Sequence, residues 1–342
     1  MTRRLRLLLL AVASLATLAL ASNALAAFTP RVTVSNRPMA TGTNAGTAII
    51  RLEVPTEDDA LFRADIYVPT GYEAALAQNV GAQIGTVEAR VQVREPVAGA
   101  VVPLNGTITV DNPANHTTSP CAPGMHQAVW IITLQSPAGP LNVPVYVDRT
   151  AGPETNLGAY RLRVCLPSPH IPQTAGGAAL GAKLVFARLN LNGVFRTPTT
   201  PGEYLFRVIA TPWAAPATPN AAGTVEARGT IGLPAAVSIS ASSRRRVLTV
   251  TGRLTEGGTG VSRGTVAVRV GRRTHTARTN ATGRYTIRVR FRSAARPTVR
   301  ATGTAGIRTV QCSGPSAAPG GCVSHTLPNF TVTSRTIRPR VR

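Results

Sequence analysis

Val87-Glu88-Ala89-Arg90-Val91-Gln92-Val93 alternates apolar and polar side chains residue by residue. That is the period of two a half-buried β-strand produces, because successive side chains point to opposite faces. The rhythm extends outward on both sides. Upstream it runs through Val32 and Val34, then Ile49, Ile50, Leu52 and Val54, then Ile66 and Val68; downstream it recurs over residues 106–110, 129–134, 143–147, 160–165, 184–191 and 204–209. Clusters of Gly, Pro and Asn separate these segments, and 31 Gly with 27 Pro in 342 residues favour short strands and turns over helices. The expected fold is all-β, with two or three antiparallel β-sandwich domains. The Ala-rich stretch 71–83 is the one place where a short helix is expected.

The chain opens with Arg3, Arg4 and Arg6, continues through an apolar run over residues 7–21 and reaches Ala24-Leu25-Ala26, the small-x-small pattern of a secretory cleavage site. An apolar run of about 15 residues falls short of the roughly 20 that a membrane-spanning helix needs. Residues 1–26 are therefore expected to form a signal peptide, and no Cys follows the cleavage site to carry a lipid. No later apolar run has spanning length. The remaining chain is long enough for two or three domains with cores of their own.

Charge divides the chain. Residues 28–236 hold 14 Lys and Arg against 13 acids, whereas residues 237–342 hold 20 Arg against the single acid Glu256. The expected organisation is a large β-sandwich region over 27–236, in one sandwich or two, and a basic β-sandwich over 237–342, with the boundary near Leu233-Pro234. The Pro- and Ala-rich stretch 212–220 is open to reading as a linker, but 223–231 then reads as one further strand, which is why the boundary is set at Leu233-Pro234. Lys183 is the only lysine beside 36 arginines, a bias that a GC-rich genome and a binding surface explain equally well.

The basic region carries a recognisable pattern. Leu248-Thr249-Val250-Thr251-Gly252-Arg253-Leu254, then Gly264-Thr265-Val266-Ala267-Val268-Arg269-Val270, then a segment holding Thr279-Asn280-Ala281-Thr282-Gly283-Arg284-Tyr285 resembles bacterial Ig-like and carboxypeptidase-regulatory-like repeats. The resemblance implies a small antiparallel sandwich of the kind used as a stalk, spacer or adhesive module, with Asn280 and Gly283 making a tight hairpin between strands. Residues 28–69 are similar to a secreted copper-binding sandwich family, through Val32-Thr33-Val34-Ser35 and Leu52-Glu53-Val54-Pro55-Thr56-Glu57-Asp58. Ala27 or Phe28 stands where that family has its metal-binding N-terminal His, so this likeness implies the fold and not the copper.

Tyr285, Ile287, Val289 and Phe291 alternate with Thr286, Arg288, Arg290 and Arg292, which places the arginines on an outer face. Arg269, Arg272 and Arg273 on or beside the preceding strand, and Arg244, Arg245 and Arg246 at the start of the basic region, extend this row into a patch. Guanidinium groups bind phosphate and carboxylate in bidentate fashion, and a cluster concentrates anions near it. The charge also exceeds the magnitude of about 2–8 that keeps a small domain soluble. The expected partners are anionic cell-envelope or extracellular polymers. Sequence-specific nucleic-acid binding is not expected, because no helix-turn-helix, zinc finger or aromatic stacking platform is visible.

The four cysteines are expected to form disulfides between Cys121 and Cys165 and between Cys312 and Cys322, as exported proteins commonly do. His116, Cys121, Met125, His126 and His170 suggest a copper or zinc site only loosely, since their spacing matches no ligand motif; no metal and no cofactor are expected. Glu53, Glu57, Asp58, Asp59 and Asp65 form the one acidic cluster, read as a solvated turn or as a dock for the basic region. Gly-x-Ser-x-Gly and His-Glu-x-x-His motifs and a cysteine nucleophile with its base are absent, so the chain is not expected to be an enzyme. The Asn-x-Thr triplets at Asn105, Asn115, Asn280 and Asn329 fit a glycosylation acceptor pattern. These readings describe a secreted, non-enzymatic, structural or adhesive protein of the cell envelope or extracellular matrix. The alternative is an extracellular protein that binds a small molecule, glycan or metal in a pocket of the N-terminal sandwich.

Overall fold

The computed structural model describes residues 28–43, 46–136, 139–313 and 322–341, and the side chains of these apart from 306–313 and 322–329. The expected signal peptide, residues 1–26, lies outside them. Strands in chain order are β1 (Arg31–Arg37), β2 (Thr47–Glu53), β3 (Leu61–Val68), β4 (Glu73–Ala74), β5 (Gln83–Gln92), β6 (Val101–Asp111), β7 (Ala128–Ser136), β8 (Gly139–Arg149), β9 (Tyr160–Cys165), β10 (Lys183–Asn192), β11 (Phe195–Arg196), β12 (Gly202–Ala214), β13 (Thr218–Pro219) and β14 (Val225–Leu233). The basic region adds β15 (Ala235–Val237), β16 (Ser240–Arg244), β17 (Val247–Glu256), β18 (Thr259–Gly260), β19 (Thr265–Val270), β20 (Arg273–Arg278), β21 (Arg284–Arg290), β22 (Val299–Ser313) and β23 (Cys322–Thr333). The helices among the described residues are 3-10 turns of five residues or fewer, and none is long and apolar enough to cross a membrane.

The protein is all-β and its ladders are antiparallel. The main sheet runs β1-β2-β10-β5-β6-β7-β8-β9-β3-β12-β14 and continues into the basic region as β22-β19-β20, with β23 on the outer side of β22. Its first eleven strands roll up into a barrel-like body, in which β14 packs back against β1 and a Cβ at Gly229 would lie 3.1 Å from the Val32 carbonyl oxygen. The inward residues of each alternating run fill this roll; Ile50, Ile108, Trp130, Leu162, Leu191 and Phe206 are fully buried. Each such side chain contributes roughly 1.5–3 kcal/mol by leaving water.

In the basic region, β15, β16, β18 and β21 assemble around β17 into a second sheet. It faces the β19, β20 and β22 end of the main sheet across a core of Leu248, Val250, Leu254, Val266, Val268, Tyr285, Val299 and Ala301. The layers approach closely where Gly303 lacks a side chain, because a Cβ there would lie 2.5 Å from the Leu254 side chain. Strand β22 belongs to both halves of the molecule. Its N-terminal part pairs with β19, and its C-terminal part pairs with β14 through Thr309 to Cys312 opposite Gly229 to Glu226.

Three local expectations change. Residues 71–83 form no helix: Ala is common there, but Tyr72 is buried against Phe206 and accepts a hydrogen bond from Asn36 (2.8 Å), β4 pairs with β11, and the rest is turn and irregular backbone. The stretch 212–220 is no linker, because β12 turns back on itself with Trp213 opposite Pro219 and β14 follows as its neighbour. The Asn280 to Gly283 turn is tight, with the Asn280 side chain accepting from the Thr282 and Arg284 backbone N–H groups (3.0 and 2.9 Å). It makes no hairpin, however: β20 pairs with β19 and β21 with β17, so this turn carries the chain from one sheet to the other.

Cys121 and Cys165 form a disulfide, Cα to Cα 6.3 Å. Backbone register sets Cys312 opposite Cys322 on the β22 and β23 hairpin; their side chains lie outside the described residues.

Candidate polyanion-binding surface

Between β16 and β17 the chain reverses within two residues, since Arg244 pairs directly with Val247. The two are Arg245 and Arg246, at φ of 50° and 62°. A two-residue hairpin needs left-handed backbone at its centre to match the strand twist, which is why Asn-Gly is the usual occupant. A residue with a Cβ costs roughly 1 kcal/mol in that conformation, and this turn holds two. Replacing Arg245→Asn and Arg246→Gly together is expected to raise the unfolding free energy by about 1–2 kcal/mol. Chemical denaturation reads this directly, and an unchanged or lower midpoint would mean the turn is not strained.

Around this turn the registers gather arginines. Val247 lies opposite Arg290. The Phe291 N–H donates to the Arg246 carbonyl (2.9 Å), and Arg246 Nη1 donates to the Arg292 carbonyl (2.8 Å). Arg288 stands further along the same face, in one row with Thr249 and Ser242. In the facing sheet, Arg269 sits between Thr274 and Arg300 on neighbouring strands, Arg273 pairs with Val270, and Arg272 occupies the turn between them. The segment 291–298 links the end of β21 to the start of β22, so both sheets end at the same pole of the molecule.

All nine arginines singled out in the sequence are exposed, and eight of them cluster at or beside this pole, with Arg288 a step inward. The structure adds Arg296, Arg300, Arg338 and Arg340, also exposed. Backbone bridges from Ala295 to Val341 and from Val299 to Ile337 fold the C-terminal segment back onto this end. Arg300 was legible as an outward residue between Val299 and Ala301, but no local spacing ties the C-terminal arginines to the turn. Glu256, the single acid of residues 237–342, lies at the other end of β17, where its carboxylate accepts from the Gly232 N–H (2.9 Å). Residues 237–342 therefore bring no Asp or Glu side chain to this pole.

The remaining sequence candidates are dispersed. His126 is held between Asp148 (Nδ1, 3.0 Å) and the Ala122 carbonyl (Nε2, 3.0 Å), while His116 bonds Asp111 (2.7 Å) and holds that carboxyl below the usual carboxylate range. Both rings flank Tyr146 under the loop that the disulfide fastens. His170 lies elsewhere, beside Arg94. No group of three metal-ligating side chains occurs among the described residues. Within the acidic cluster, Asp65 is buried and clamped by Arg63 (3.1 Å) and Arg163 (2.5 Å), so it belongs to the sheet surface. Asp58 and Asp59 stand in the turn between β2 and β3, at the end of the main sheet opposite the arginine pole.

No family model and no curated protein matches the chain. A solved structure of a Ca2+-stabilized adhesin with which an Antarctic bacterium binds ice is 11% identical over 91% of each chain, with a TM-score of 0.15. A superposition that loose carries no argument about fold or role.

Proposed function

We propose that this is a secreted, non-enzymatic, bacterial envelope or matrix protein built from Ig-like sandwich layers, whose arginine pole holds it to anionic polymers outside the cell. One observation carries the reading: two arginines occupy the strained centre of the β16 and β17 turn, at the middle of an exposed arginine cluster to which residues 237–342 bring no Asp or Glu side chain. Strain that a commoner turn sequence would relieve is retained where a site needs the side chains. Guanidinium suits such polymers because its planar fork matches both phosphate and carboxylate oxygens, and neighbouring charges add to one local field. The field reaches about 8 Å at physiological ionic strength and less as salt rises.

The test uses the full chain, since β22 pairs across both halves and residues 237–342 are not an independent sheet. Wild type is expected to co-sediment with isolated bacterial envelopes at low salt and to release as salt rises. The Arg245→Asn/Arg246→Gly variant is expected to bind severalfold more weakly while unfolding at a higher denaturant concentration. Binding that ignores both salt and this variant would refute the reading.

A further inference from the structure

At the barrel end opposite the arginine pole, a polar cleft of about 370 Å3 opens among four segments distant in sequence: the turn between β2 and β3 (Asp58, Asp59), the hairpin between β5 and β6 (Gln92, Arg94), the turn at His170, and the start of β10 (Lys183). Its volume falls in the range of small-molecule pockets, roughly 300–1,000 Å3. Four features define its chemistry. Arg94 Nη2 lies 2.8 Å from His170 Nδ1; a guanidinium only donates, so Nδ1 accepts and the ring proton resides on Nε2. Burial and the Arg94 charge both hold His170 below its ordinary pKa, which keeps the ring neutral. Lys183 Nζ donates to the Thr56 and Asp58 carbonyls (2.6 and 2.8 Å), leaving it one further N–H. Asp58 is occupied by the Thr29 backbone N–H and hydroxyl, whereas the Asp59 carboxylate has no hydrogen-bond partner among the described residues.

The rim is built to aim Arg94. Leu180 adopts a left-handed φ of 55°, and its carbonyl accepts from the Arg94 N–H (3.0 Å). Gly181 beside it has no side chain where a Cβ would lie 3.0 Å from Arg94 Cδ, so the arginine stem rests on bare backbone. Strain in a non-glycine residue at a cleft mouth marks a constrained site.

We propose that this cleft binds a small polyhydroxylated carboxylic acid, of the size and chemistry of a uronic acid, with its carboxylate on the Arg94 fork and its hydroxyls on Asp59, Gln92 and the remaining Lys183 N–H. A carboxylate matches the planar guanidinium in bidentate fashion. The Asp58 and Asp59 carboxylates in the same lining repel a doubly charged phosphate, while Asp59 accepts from sugar hydroxyls. This inference is independent of the arginine pole.

Isothermal titration of the full chain with D-galacturonate tests it, with D-galactose and inorganic phosphate as comparisons. Galacturonate is expected to bind in preference to both, and Arg94→Gln and Asp59→Asn are each expected to weaken it about tenfold, the scale of one lost charge-assisted pair. Arg94 is exposed, so its replacement leaves the fold intact, and the Arg245→Asn/Arg246→Gly variant is expected to bind galacturonate as wild type does. Absence of galacturonate binding, equal binding of phosphate, or loss of binding in the turn variant with retention in Arg94→Gln would each overturn the proposal.

Discussion

Replacing Cys121 and Cys165 by serine is expected to cost about 4 kcal/mol, the chain-entropy estimate for a closed loop of this length. The two cysteines are 44 residues apart and tie the loop over 112–127 to the end of β9. Ala122 of that loop packs with Val129 of β7 and Tyr146 of β8 in a small apolar cluster, and the Cys121 carbonyl accepts from Arg163, which also holds Asp65. Losing the bond therefore frees the unfolded chain and loosens the cover over a buried ion pair. The thermal midpoint is expected to fall by roughly 6 °C. If instead the midpoint holds and only the loop becomes sensitive to protease, the loop detaches independently and the disulfide does not support the barrel.

Removing the Glu226 carboxylate is expected to cost about 3 kcal/mol, because one buried charge would leave two partners unpaired. Glu226 on β14 is only 1% exposed, and both Arg207 (2.6 Å) and Arg228 (2.8 and 2.9 Å) converge on it. The estimate stays at the low end of the range for buried pairs because both guanidinium groups reach water. Burial alone would raise the Glu226 pKa, but hydrogen bonds from Arg228 and Arg207 more than offset it and hold the carboxyl below its ordinary 4.5. A carboxyl whose folded pKa is depressed contributes its stability above the unfolded value and loses it as pH falls through the folded one. Wild type is therefore expected to lose stability below about pH 4.5 through this group, whereas Glu226→Ala lacks that component. Denaturant titrations of both proteins at pH 7 and pH 3.5 check this: a difference between them that does not shrink on acidification would exclude Glu226 as the titrating group.

Segments such as Val87 to Val93 were legible because a half-buried strand writes its geometry into the sequence residue by residue. Pairing was not legible, since it depends on residues far apart. The Asn280 turn shows the limit: its local chemistry followed from the residues, yet whether it joins neighbouring strands or crosses between sheets depends on what β17 and β19 do elsewhere. Composition misled at 71–83, where alanines permit a helix but the burial of Tyr72 and the pairing of β4 with β11 exclude one. For the arginine surface, period-two alternation correctly turned Arg288 and Arg290 outward, while the gathering of Arg296, Arg338 and Arg340 at the same pole depends on bridges from the C-terminal segment. The cleft around Lys183 was invisible for the same reason. Its residues span positions 58 to 183, and nothing about Asp58, Asp59, His170 or Lys183 taken singly shows that they meet.

Strand β22 passes from the arginine pole to the barrel wall, antiparallel to β14. A protein held at one pole and pulled from the other carries load along that direction. The hydrogen bonds between β22 and β14 would then be stretched side by side and would have to fail together, while the covalent passage through Leu233-Pro234 bears tension beside them. Peeling bonds one at a time needs far less force, so this shared strand makes the junction a stiff mechanical coupling rather than a swivel.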